Sequence, residues 1–186
     1  MSYPMMIWNA DHPEAEVQCA SNVLAEIGDL ALSGYRRYAW GGVEIGGVLF
    51  GKIEPGMIRV CSMRLAECEH HYGPEFHLSE NFCKALEHLL AGAASDQSLA
   101  GLTPVGWYHS TSRRDLSLSD HARGLFHRFF PDPCQIALLV QRSKRDPLSL
   151  ALFVRDSRGR VELHSPAREF TLESSEYPRS AAATAE

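Results

Sequence analysis

The stretch from Thr103 to Asp120, Thr-Pro-Val-Gly-Trp-Tyr-His-Ser-Thr-Ser-Arg-Arg-Asp-Leu-Ser-Leu-Ser-Asp, must be three things in turn. Val105, Trp107 and Tyr108 give β-favouring bulk around a small Gly106, which predicts a strand. His109 is then released into a polar loop. That loop ends on Ser119, a good N-cap, and Leu125, Phe126, Phe129 and Phe130 supply the apolar face of the helix that follows. Pro131-Asp132-Pro133 stops it. A strand that delivers a histidine into a polar loop just before a helix N-terminus is a common way to build a metal or catalytic site.

The rest of the chain supplies a sheet and helices around this stretch. Met5 to Trp8 reads as a first short strand. Asp11 opens a helix signal, with Pro13 in the first turn and Glu14 in capping-box spacing. Val17, Ala20, Leu24, Ile27 and Ala31 recur every three or four residues, so the helix is expected to run to about Tyr38. Gly41 to Ile53 reads as a buried strand whose glycines mark a close approach of another backbone or a ligand. Glu44 is the only charge in it before Lys52. Glu54-Pro55-Gly56-Met57 turns the chain, and Met57 to Leu65 returns as the hairpin partner.

Cys68-Glu69-His70-His71-Tyr72-Gly73-Pro74 is a polar connection. Its spacing matches no standard metal motif, so a plain loop is the reading. Ser79 caps a helix with Phe82, Leu86, Leu89 and Leu90 on one face, ending near Gly92, and Ala93 to Leu102 is a loop. After the Pro-Asp-Pro stop, Ile136 to Val140 and Leu148 to Val154 are strands. Asp156 to Gly159 is a turn, and Val161 to His164 is expected to pair back. Residues 1–172 form one domain and 173–186, rich in Ser, Ala, Glu and Pro, read as a disordered tail. The element order gives a mixed α+β (α/β) fold: one central sheet flanked by helices.

At 186 residues the chain is long enough to bury a substantial core. A net charge of −5 and a pI near 6.0 speak against binding nucleic acid through phosphate neutralisation. The small clusters Arg113-Arg114 and Arg142 to Arg145 read as solvated loops. Five cysteines without a CxxC pair point to reduced thiols and a cytoplasmic protein. No signal peptide and no membrane-length apolar run stands out.

Two features belong together: Glu44-x-x-Gly47-x-Leu49-x-Gly51 on one strand, and Gly106-Trp107-Tyr108-His109-Ser110 ending another. This pairing resembles the JAMM/MPN family of zinc-dependent isopeptidases and their metal-free relatives, from about Val17 to Val161. The resemblance implies a cytidine-deaminase-like architecture with a curved mixed sheet flanked by helices. In active members of that family, zinc is held by the two histidines of His-x-His and by the aspartate of a Ser-x-x-Asp that follows after seven residues. Three protein ligands leave a fourth position for water, whose pKa falls to roughly 7. A glutamate takes the proton from that water, and the serine steadies the tetrahedral intermediate.

Residue by residue, the resemblance matches Glu44 to the general base and His109 to the first zinc histidine. Thr111 stands in place of the second histidine. The ungapped register puts Ser119 on the serine and Ala122 in place of the aspartate. A two-residue deletion would instead match Ser117-x-x-Asp120. The ungapped register is preferred, because Ser119 is then also the N-cap. Asp120 and His121 stand next to the lost aspartate and are the candidates to replace it as metal ligands.

The expected function is therefore a JAMM/MPN-fold protein-interaction module with an incomplete zinc motif, capable of oligomerising through its helices as relatives do. The alternative is an active zinc metallopeptidase acting on a ubiquitin-like or other peptide substrate. It would use Glu44 as general base, Ser119 as stabiliser, and His109 with Asp120 or His121 as ligands. A small-ligand pocket lined by the same residues is a third class. Neither nucleic acid nor membrane is expected as a partner.

Overall fold

The computed structural model describes residues 5–10, 15–36, 43–66, 79–111, 115–142, 148–156, 158–161, 166 and 168–172. The strands are β1 (Met5–Ala10), β2 (Ala15–Ala20), β3 (Gly46–Glu54), β4 (Met57–Leu65), β5 (Thr103–Thr111), β6 (Ile136–Arg142), β7 (Leu148–Phe153) and β8 (Arg168–Leu172). The helices are α1 (Ser21–Arg36), α2 (Glu80–Gly92) and α3 (Asp120–Phe129). All the strands join one mixed sheet in the order β1-β2-β4-β3-β5-β6-β7-β8. Two pairs, β2/β4 and β5/β6, are parallel and the others antiparallel. The sheet curls until its edges nearly meet. Trp8 of β1 stacks on Phe170 of β8 with ring centroids 4.3 Å apart.

Both faces of this sheet are covered, which explains the continuous apolar run of β6. On one face, Leu138 and Val140 pack with Val23, Leu24 and Ile27 of α1. On the other, Ala137 and Leu139 pack with Leu86 of α2 and with Leu125 and Phe126 of α3. α1 thus lies along one face and α2 with α3 along the other.

The glycines of the central strands do what was expected of them. A Cβ on Gly47 would stand 2.0 Å from the Arg64 carbonyl oxygen, and one on Gly106 2.0 Å from that of Ile136. Gly106 also has φ +154, a conformation that side-chain-bearing residues rarely adopt. It lies where the register between β3 and β5 slips, a bulge just before the Trp107 to Thr111 segment.

Four expectations need correction. The chain does not release His109 into a loop: β5 runs on through Ser110 to Thr111, paired with β6. β3 begins at Gly46, which leaves Glu44 just before the strand. The helix predicted from Asp11 begins at Ser21, and Val17 and Ala20 belong to strand β2. Residues at 17 and 20 fit a helical period, but Val17 and Cys19 also alternate inward, 0% and 1% exposed. Pairing with β1 on one side and β4 on the other decides for the strand. The capping signal at Asp11, Pro13 and Glu14 lies outside the described residues. At the other end, the return strand placed at Val161 to His164 is not where β7 finds its partner. Val161 is buried outside any strand, residues 162–165 lie outside the described set, and β8 pairs with β7 from Arg168 onward. The cross-sheet stack of Phe170 on Trp8 favours that later segment.

Other elements match closely. The β3–β4 hairpin turns at Pro55-Gly56. Asp156 accepts the Gly159 N–H at 2.9 Å to close the second turn. The Ala93 to Leu102 loop contains two short 3-10 turns, Ala93–Ser95 and Gln97–Leu99. Ser79 precedes α2 as expected, although its side chain makes no capping bond. The connection holding Cys68, His70 and His71, the pair Arg113-Arg114, residues 143–145, and the tail from 173 lie outside the described residues.

Candidate functional site

β3 and β5 are neighbours, and their antiparallel register sets Gly46 opposite His109. Just beyond, a pair of hydrogen bonds clasps the strands. The Ser110 N–H donates to the Ile45 carbonyl at 2.7 Å, and the Ile45 N–H donates back to Ser110 Oγ at 2.9 Å. A hydroxyl therefore extends the ladder past the end of β3. Glu44 lies just before β3, two residues from Gly46. Strand alternation gives His109 and Thr111 the face of Trp107. Val48 and Trp107 both belong to the α2/α3 side of the core. Glu44, His109 and Thr111 are buried at 7%, 6% and 6% exposure.

The helix on that side brings the second half of the site. Ser119 has extended backbone and its Oγ accepts the Ala122 N–H at 3.1 Å, so the expected N-cap is formed. Ala122 faces the sheet, buried in the same apolar cluster as Trp107. Asp120, one residue inside the helix, turns outward. Its side chain is 82% exposed and pairs with Arg123 at 2.9 Å. His121 is half-buried and close enough for its charge to act on His109. Ser117 is buried and donates its hydroxyl to Asp115.

His109 is the electrostatic centre of this group. Burial pushes its imidazole down to about 4, and the His121 charge pushes in the same direction. At neutral pH it is an uncharged ring, its centroid 5.2 Å from that of Trp107. A neutral imidazole can ligate a metal or accept a proton.

The donor set is the test of a zinc site. Three protein ligands are the minimum for a catalytic zinc centre. Thr111 offers a neutral hydroxyl, Ala122 offers no donor, and the Asp120 carboxylate faces solvent. Among the described residues no group of three His, Cys, Asp or Glu side chains converges. These residues do not fit a three-ligand catalytic zinc.

Two contributors were not singled out from the sequence. Ser110 followed His109 in the motif, and its hydroxyl carried no signal that it would bond Ile45. Arg155 is 4% exposed and gathers the far end of α3: its guanidinium donates to the carbonyls of Asp132 at 3.0 Å, Phe126 at 3.4 Å and Phe130. It also lies 4.2 Å from the Phe126 ring centroid. A positive charge at a helix C-terminus is favourable. The visible hint was an arginine following directly on an apolar strand.

No protein-family model matches the chain, and no curated protein matches it in sequence. Among solved structures, the chain is similar to a protein from Desulfitobacterium hafniense at 18% identity. That match covers 74% of this chain and 86% of the other, with a TM-score of 0.47. It is also similar to a protein from Salinibacter ruber at 19% identity, covering 86% of this chain and 94% of that one, TM-score 0.47. Among the described residues, no helix is long and apolar enough to cross a membrane. The fold itself is a mixed α+β domain built on one nearly closed sheet.

Proposed function

We propose that the chain is a JAMM/MPN-type domain of cytidine-deaminase-like architecture that works in the cytoplasm as a protein-interaction module without a catalytic zinc. One observation carries this reading. At the two positions where a second imidazole and a carboxylate are needed, Thr111 and Ala122 stand buried, and the neighbouring Asp120 is turned out to Arg123. The placing of Glu44 just before β3, His109 on the neighbouring β5 and a Ser119-capped helix after it supports the family assignment. Elemental analysis of protein purified without chelators checks the proposal. The expected zinc content is well under one equivalent per chain, and about one equivalent would overturn it.

A second reading has one observation in its favour: His121 lies close enough to His109 to perturb it. In that case His109 and His121 are two nitrogen donors of a displaced zinc site, Glu44 is the general base, and the domain cleaves an isopeptide or peptide bond. Hydrolysis of an isopeptide-linked ubiquitin-like substrate that disappears in Glu44→Gln would favour this enzyme. Absence of cleavage by zinc-supplemented wild-type protein counts against it.

A further inference from the structure

Helices α2 and α3 cover only part of their side of the sheet. The apolar cluster beneath them takes Val48 and Phe50 from β3 but no residue from β1 or β2. Past Phe50, strand alternation puts Lys52 and Glu54 on that same face. The register then lays out two rows across the strands. Lys52 stands opposite Arg59, Arg59 beside Gln18, and Gln18 opposite Ile7 of β1. Two residues nearer the β3–β4 turn, Glu54 stands opposite Met57, and Met57 beside Glu16. Ile7 is 55% exposed, Lys52 and Glu54 are exposed, and Arg59 and Glu16 are half-buried. Like charges directly opposite on neighbouring strands repel, yet Lys52 and Arg59 are so placed. Arg59 donates to neutral atoms, Gln18 Oε1 at 3.2 Å and Met57 Sδ at 3.6 Å. Among the described residues, none of Lys52, Arg59, Glu16 and Glu54 is in an ion pair.

We propose that this flank is where two copies of the chain pair face to face, about a two-fold axis running across the strands between the basic row and the acidic row. The rows are about 7 Å apart along the strands, and the strands about 4.8 Å apart. Rotation about that axis exchanges the rows and keeps each strand over its own counterpart, as an isologous contact requires. Lys52 then faces the partner's Glu54, and Glu54 faces the partner's Lys52. Arg59 faces the partner's Met57. Because β4 lies between β2 and β3, the partner's Glu16 and the partner's Glu54 flank Arg59 one strand to either side. Each cation gains the carboxylates it lacks in its own chain, and exposed Ile7 is carried toward the contact. The patch, about 15 Å across four strands and two rows deep, is smaller than the roughly 800 Å² per partner of a stable interface. The pairing is therefore weak and sensitive to salt. Lys52 and Glu54 lie at the far end of β3 from Gly46, the residue paired with His109. The contact thus adds a partner to the reading of the chain as an interaction module without depending on the candidate site.

Sedimentation equilibrium of the full chain over a range of concentrations, at low and at high salt, tests the pairing. The samples are wild type, K52E, E54K and an equimolar mixture of the two variants, with folding checked by circular dichroism. Wild type is expected to show a monomer–dimer equilibrium that weakens as salt rises. Each single variant sets like charges against each other across the axis, so its dimer is expected to weaken about tenfold or more. The mixture is expected to regain the wild-type dimer, because one variant then offers two carboxylates and the other two ammonium groups at the same contact. A wild-type chain that stays monomeric at every concentration in low salt overturns the inference. So does a mixture no more dimeric than its components, or a dimer that neither substitution weakens. Zinc retained by wild-type protein would instead refute the proposed function and leave this pairing standing, so the two failures are separable.

Discussion

The two faces of the central sheet use the same strands for different ends. Along β5, Tyr108 points into the α1 side and Trp107 and His109 into the α2/α3 side. The α1 side is a packing surface: Leu24, Ile27, Val140 and Leu150 are fully buried. Its polar groups are kept uncharged, with burial holding the Cys19 thiol and the Tyr108 hydroxyl well above their ordinary pKa values. The other side carries buried His109, Thr111 and Arg155, with buried Glu44 and Ser117 in the segments leading into β3 and α3. Burying polar groups is costly unless they are satisfied. The difference separates a packing face from the face that holds the candidate site.

That contrast can be broken at its apolar end first. Leu24→Ala removes a side chain with no solvent exposure from the α1 layer. It is expected to lower unfolding free energy by about 3–4 kcal/mol, read from the midpoint in urea. A change below about 1 kcal/mol would show that the α1 layer is loosely packed and the contrast overstated.

The site face should respond to pH where the α1 face does not. Folded His109 stays neutral down to about 4, against an ordinary 6.5. Between those values the unfolded chain binds the proton and the folded chain does not, so stability falls as pH drops. The full effect is about 3 kcal/mol. Denaturation midpoints at pH 7 and pH 4.5 measure it, and His109→Leu should remove most of the slope. An identical slope in that variant would mean that other groups govern the acid response.

A smaller effect sharpens the account of α3. Ser119→Ala removes the acceptor for the Ala122 N–H and should cost about 1 kcal/mol. Amide exchange should quicken in the first turn of α3 and stay unchanged in α1. Equal quickening in both helices would argue against a local cap.

Much of this molecule is legible in its residues. The β3–β4 hairpin, the strand carrying Trp107 and the helix capped by Ser119 all have local signals: turn glycines, β-branched runs and an N-cap. The misplaced elements lack such signals. Residues Ala15 to Ala20 fit both periods, and only pairing with β1 and β4 settles them. β8 is chosen by a ring stack across the whole sheet, from Phe170 to Trp8. At the site, the residue types were readable but their directions were not. Asp120 and His121 are adjacent in sequence, yet Asp120 is turned out to solvent while His121 is half-buried and near enough for its charge to act on His109. A rotation of about 100° per helical residue separates them. Ser110 and Arg155 act through backbone groups distant in sequence, which no local pattern encodes.

The proposed function is a JAMM/MPN-like frame that holds no zinc. Titration of wild-type protein with zinc against a chromophoric chelator at neutral pH tests it most directly. The account predicts no competition by a single tight site. A one-to-one site of about nanomolar affinity or better would contradict it.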